Sequence, residues 1–139
     1  MNLRYKINRF KRGIHNIIKW FPVIWKDRDW EWEALMKILH FKLKNMEYFF
    51  RNHGVSIGSE KRADEMKEVI KLIERILTND YMQEAFEENK ELLHIDVNTM
   101  NRQQREKVDK LFDEGDKLIQ NDVDKVFDLI KINIRKWWD

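Results

Sequence analysis

The residues best able to do chemistry lie in one short stretch, Trp20-Phe21-Pro22-Val23-Ile24-Trp25-Lys26-Asp27-Arg28-Asp29-Trp30-Glu31-Trp32. Four tryptophans fall within its thirteen residues, interleaved with Lys26 and Arg28. Aromatic faces stack on bases and on guanidinium planes, while Lys and Arg neutralise phosphates. A pocket for a nucleotide-like ligand needs those groups. The ordinary alternative is a turn between two helices, with tryptophans as core anchors and the charges as caps and ion pairs. The candidate ligand-binding residues are Arg4, Tyr5, Arg9, Trp25, Lys26, Arg28 and Trp30, with Lys42 and Arg51 behind them. The aromatics would stack on a base and the cations would pair with phosphates. For each cation taken alone, a solvated helix face is the ordinary role.

Other chemistries find less support. Glu65/Glu68, Glu84/Glu87, Glu88/Glu91 and Asp113/Asp116 each sit three apart, so each pair shares a helix face. All-α nucleoside triphosphate pyrophosphohydrolases hold Mg²⁺ with paired acids on facing helices. Their Glu-x-x-Glu followed by Glu-x-x-Asp is not reproduced here. With 25 acidic residues in the chain, such pairs also arise by chance. Glu91-x-x-His94 is half of a di-iron motif that needs a second copy. His15, His40, His53 and His94 are otherwise scattered. There is no cysteine, so no thiolate nucleophile and no cysteine metal site. The only serines, Ser56 and Ser59, sit beside Gly54 and Gly58, away from any triad partner. No Gly-rich phosphate loop is present. The expectation is a protein that binds without catalysis, with no cofactor and no metal.

The elements that position these residues read as helices. Leu3, Ile7, Phe10, Ile14, Ile17, Ile18 and Phe21 step by three or four and form one stripe. Arg4, Lys6, Arg9, Lys11, Arg12 and Lys19 cover much of the rest, and no acid precedes Asp27. Such a cationic amphipathic helix also has the look of a membrane-surface helix. Matching stripes downstream favour packing of this one against later segments. Pro22 should end or kink the helix. Asp27 or Asp29 can cap a second helix, which runs to about Arg51 on Trp32, Leu35, Met36, Leu39, Leu43, Met46 and Phe50. Asn52 to Ser59 is the clearest break. A third helix spans about Glu60 to Leu77, with Ser59 as its cap and Ala63, Met66, Ile70, Ile73 and Leu77 as its stripe. Tyr81 to Leu93 reads as a shorter helix. From about Met100 the pattern continues to Trp138, which at ~1.5 Å per residue is roughly 55 Å. A compact domain of this size has a radius near ~14 Å. Either Gly115 breaks that helix or its end projects and packs on a second copy, which favours a homo-oligomer.

Composition agrees with a helical reading. The chain has 139 residues, about one domain, with 42% hydrophobic and 37% charged residues. Four Gly and one Pro are too few for a turn-rich β-sandwich or barrel. The longest apolar run, Trp20 to Trp25, is too short for a transmembrane helix, and no secretory signal is evident. The net charge of +2 conceals a division. Residues 1–51 carry 12 Lys+Arg against 5 Asp+Glu, and residues 52–139 carry 15 against 20. A basic, aromatic front suits an anionic partner, although the two halves could also neutralise each other. The acidic rear and the pI near 8.7 argue against an extended nucleic-acid track.

Residues Arg4 to Arg51 resemble a family of small uncharacterised phage-encoded proteins. The likeness rests on the basic aromatic first helix, on Trp20 to Trp30, and on Leu39-His40-Phe41-Lys42-Leu43-Lys44-Asn45-Met46-Glu47. It covers about a third of the chain, and the acidic part lies outside it. The resemblance implies a phage origin and action in the cytoplasm of an infected bacterium, and supplies no catalytic residue. Small phage proteins often block a host protein or sequester a host defence signal. The expected molecule is therefore an all-α bundle of about five helices with a long carboxy-terminal helix, oligomeric through that helix. Its expected role is to sequester a small anionic nucleotide-type immune signal, with inhibition of a host protein as the alternative.

Overall fold

The computed structural model describes residues 3–27, 31–54 and 56–137, with Leu3 described by its backbone. The described residues are helical and include no strand. Five α-helices follow one another: α1 (Leu3–Ile24), α2 (Trp32–His53), α3 (Ser59–Thr78), α4 (Tyr81–Ala85) and α5 (Arg102–Asn133). Two 3-10 segments, Glu87–His94 and Val97–Thr99, join α4 to α5. The chain divides into two compact units, Met1–Lys42 and Leu43–Asp139, so the boundary falls inside α2.

In the amino-terminal unit, α1 continues past Pro22 to Ile24. Pro22 lacks only the N–H that would reach back one turn. The ladder resumes at once, with Trp25 N donating to the Phe21 carbonyl at 2.8 Å. Trp20 packs edge-on against Phe41 of α2, with ring centroids 4.8 Å apart. The apolar stripe of α1 is not buried as expected. Phe10 is 70% exposed and Ile18 67% exposed, and Ile7, Ile14, Ile17 and Phe21 are exposed too. Asp29, one of the two expected caps of α2, lies outside the described residues.

The core of the second unit is built around α3. Ala63, Met66, Val69, Ile70, Ile73 and Ile76 are all buried. They cover a wider arc than a single stripe because both α4 and α5 pack nearby in this unit. Gly58 caps α3 in the left-handed region, with φ 90°. Ser59, expected as the cap, is the first helical residue, and no side-chain cap bond forms. The left-handed region is open to glycine at no steric cost. The expected helix over Tyr81 to Leu93 stops at Ala85 and tightens into the 3-10 segment, which kinks at Asn89. There Phe86, Leu92 and Leu111 form a buried cluster backed by Ala85, Ile95 and Val108.

α5 opens on a capping box. The Asn101 side chain accepts from Gln104 N at 2.9 Å, and Asn101 N donates to the Gln104 side chain at 3.0 Å. Its 32 residues span about 48 Å at ~1.5 Å per residue. Gly115 does not break it. Gly115 is buried where Met82 crosses, its ideal Cβ position only 2.7 Å from the Met82 sulfur. Leu111, Asp122 and Asn133 are buried, as are Gly115, Val126 and Trp137. Both sets advance by 11 residues, or three turns at 3.67 per turn, so the seam runs almost straight along the helix. The end does not project. After Asn133 the chain turns, Trp137 is buried, and its indole N–H donates to Glu65 Oε2 at 3.2 Å.

One polar cluster joins these helices. The Tyr81 hydroxyl donates to Asp122 Oδ2 at 2.8 Å. Arg75 Nε stands 3.3 Å from the same oxygen, and Lys125 Nζ 3.5 Å from Oδ1. The Arg75 guanidinium also lies 5.6 Å above the Tyr81 ring. Burial, and then the bond to Asp122, push the Tyr81 phenol well above its ordinary value.

Two outcomes follow. Asp122→Ala strands the Tyr81 hydroxyl and should lower the unfolding free energy in urea by about 3 kcal/mol. The share owed to half-exposed Arg75 is small. The raised phenol stabilises the fold fully below the unfolded tyrosine value near ~10, and that stability drains away as the pH rises beyond it. Unfolding followed from neutral pH to above ~10 should therefore show a steeper fall for the wild type than for Tyr81→Phe.

Candidate functional site

The end of α1 and the start of α2 enclose a groove of about 320 Å³. Pro22, Val23, Ile38 and Phe41 supply its apolar lining, and Lys26, Asp27, Lys37 and His40 supply its polar groups. Helix spacing explains the α2 side. Ala34, Lys37, Ile38 and Phe41 step by three or four and so share one face. On the α1 side, Val23 and Lys26 are three apart and lean the same way. Phe41 is held from behind by the Trp20 ring. Lys37 makes an ion pair with Glu33, 3.3 Å away and one turn back. Both partners are about half exposed, so the pair is weak and can re-form around a bound anion. Lys26 and Lys37, against the one carboxylate of Asp27, give the lining a cationic excess, and together with Phe41 they can take an anion that also presents a flat or apolar part. The volume is at the lower end of the range for small-molecule sites.

The sequence candidates do not all meet here. Lys26 lines the groove. Trp25 does not. It is 75% exposed and packs on Phe21, with centroids 5.2 Å apart. It therefore extends the exposed stripe of α1 by another turn and is neither a core anchor nor a wall of this groove. Arg28 and Trp30 lie outside the described residues. Tyr5 and Arg9 belong to a separate shallow groove of about 480 Å³, lined by α1 alone over Gly13. Twenty residues of helix separate Tyr5 from Trp25, about 30 Å at ~1.5 Å per residue. Arg4 shares that distant end. One small ligand cannot touch both ends of α1 in a single chain. Lys42 is exposed at the end of the amino-terminal unit and does not line the groove. Arg51 belongs to the second unit, where it binds Glu47 at 2.6 Å and Asp64 at 3.0 Å. Those bonds, to Glu47 first, raise its guanidinium above the ordinary value.

Lys37, His40 and Phe41 were not among the sequence candidates. The signal that could have found them is the shared face with Ala34 and Ile38, one turn behind a Trp-rich turn. Members of two acidic pairs are engaged elsewhere. Glu84 accepts from Asn79 at 2.8 Å and pairs with Arg75 at 3.4 Å, and Glu65 accepts from Trp137. Among the described residues, no three His, Asp or Glu side chains come together as a metal site. No known protein family, curated protein or solved structure matches the chain.

The contrast between tryptophans is directly measurable. Trp25→Ala should leave the urea midpoint within about 0.5 kcal/mol of wild type, as for surface positions. Trp137→Ala should cost about 3–5 kcal/mol. Loss of Trp25 should also remove quencher-accessible, long-wavelength emission, and loss of Trp137 should remove protected emission.

Proposed function

We propose that this protein acts by binding and not by catalysis, and that the α1–α2 groove takes a small anionic ligand of nucleotide type. The observation that carries the reading is that Lys26, Lys37 and Phe41 line one groove. The ammonium groups would face phosphate oxygens, and the aromatic floor would face a base. His40 stands beside them as a further polar contact. If residues 4–51 are of phage origin, as their sequence resemblance implies, the ligand class to try first is a nucleotide signal of host defence. On this reading the protein lowers the free concentration of that signal in the infected cell. Of the sequence candidates, Lys26 stays in the site, and the groove adds Lys37 and His40.

The test is a thermal-shift panel of nucleotides, cyclic dinucleotides and ADP-ribose derivatives, with and without Mg²⁺. At a hundred times its Kd a ligand stabilises its binder by about 2.7 kcal/mol, a shift of a few degrees. Lys26→Ala combined with Lys37→Ala should abolish the shift while leaving the unliganded melting point in place. A shift that survives both substitutions places the ligand elsewhere. No shift with any member of the panel removes the reading and turns attention to a host protein as target. A shift that needs Mg²⁺ and fades with incubation would mean turnover.

A further inference from the structure

The exposed stripe of α1 has no role in the groove. Phe10, Ile17, Ile18, Phe21, Ile24 and Trp25 are each more than half exposed. At 100° per residue they fall within one arc of the helix. Val23, which lines the groove, lies on the other side of that helix. An apolar row of this length is rarely left facing water without a use.

Charge decides what would cover it. The 22 residues of α1, Leu3–Ile24, contain six Lys and Arg and no Asp or Glu. Lys6 stands at one flank of the stripe, and Arg4 and Lys11 stand at the other. A second copy laid face to face on the stripe would set the flanking cations Arg4, Lys6 and Lys11 against the same three of its partner, with no carboxylate in either helix to pair them. No helix of the described residues is long and apolar enough to cross a membrane. A helix with an apolar face of Phe, Ile and Trp and with Lys and Arg along both flanks suits the plane of an anionic bilayer. There the stripe sinks among the acyl chains, and the lysine and arginine stems reach back to the phosphates. Trp25 then sits at the edge of the stripe, at the headgroup level that tryptophan prefers.

We infer that α1 is an interfacial helix that docks this protein on anionic phospholipid surfaces through its Phe10–Trp25 stripe. The groove between α1 and α2 lies off that face and stays open when the helix is docked.

Flotation of the full-length protein with vesicles tests this. The wild type should float with vesicles of equal phosphatidylcholine and phosphatidylglycerol, and not with phosphatidylcholine alone. Raised salt should weaken the association. Phe10→Asp with Ile17→Asp should reduce partitioning by about tenfold or more, since both lost side chains are the inserted ones. An unchanged urea midpoint would show that this variant is folded. Lys6→Gln with Lys11→Gln, which leaves the stripe intact, should also cost about tenfold or more. Wild-type tryptophan emission should shift to shorter wavelength on anionic vesicles, and less so in Trp25→Phe. Ligand binding in the groove should be unaffected by Phe10→Asp with Ile17→Asp, so the two readings fail separately. Three results would overturn the inference. The wild type stays with the soluble fraction at low salt. The stripe variant floats as well as the wild type. Or light scattering finds a dimer that the stripe variant dissolves into monomers, which would mean that a second copy covers the stripe.

Discussion

The carboxylate of Asp122 is the constraint on which the second unit depends. It sits near the middle of the long α5 helix and is only 2% exposed. A charge taken out of water costs several kcal/mol unless partners replace the lost hydration. Three partners converge on it, each from a different place: Arg75 near the end of α3, Tyr81 at the start of α4, and Lys125 one turn along α5. The chain can meet that demand in few ways. The α3–α4 turn at Asn79 and Asp80 must stand beside α5, and α5 must present Asp122 inward. Glu84 supports the arrangement from outside by holding Arg75 and Asn79.

Packing on either side follows from that register. With Asp122 inward, the same straight seam brings Gly115 under Met82 and Val126 into the core. It also brings Trp137 to Glu65 near the start of α3. The small residue is where two chains cross, and the large one closes the far end. A helix of this length is held at its far end when the residue that closes it, Trp137, is buried and bonded to a neighbouring helix.

The amino-terminal unit is held differently. Trp20 packs on Phe41 across its two helices. The rest of α1 keeps its apolar row and its cations outward. The second unit buries its apolar residues, while α1 leaves apolar and cationic surface uncovered. Cores are made where side chains can be buried, and binding is done where they are left available. The groove and the stripe occupy different sides of the same helix, so one element can serve two surfaces.

Much of this was legible from residue order alone. Periodicity of three and four marks α1, α2, α3 and α5, because a helical face repeats at that interval wherever it points. The caps were less legible: Ser59 was the expected cap of α3 but Gly58 holds that place, and the Asn101 cap of α5 was not foreseen. The concentration of cations and aromatics in the first 51 residues is plain from the sequence, since charge and residue type need no fold. What only the tertiary structure decided is which faces are covered. The stripes of α1 and α3 look alike as spacing, yet one is exposed and the other buried, because burial depends on neighbours far along the chain. Trp25 and Trp137 are the same side chain at similar periodic positions, and only packing separates a surface ring from a core ring. The extension of α1 through Pro22 lay beyond local rules because a single missing N–H is tolerated when the ladder resumes one turn later. The groove draws Lys26 and Lys37 from two segments of the chain, and no spacing rule on one helix can register a lining made by two.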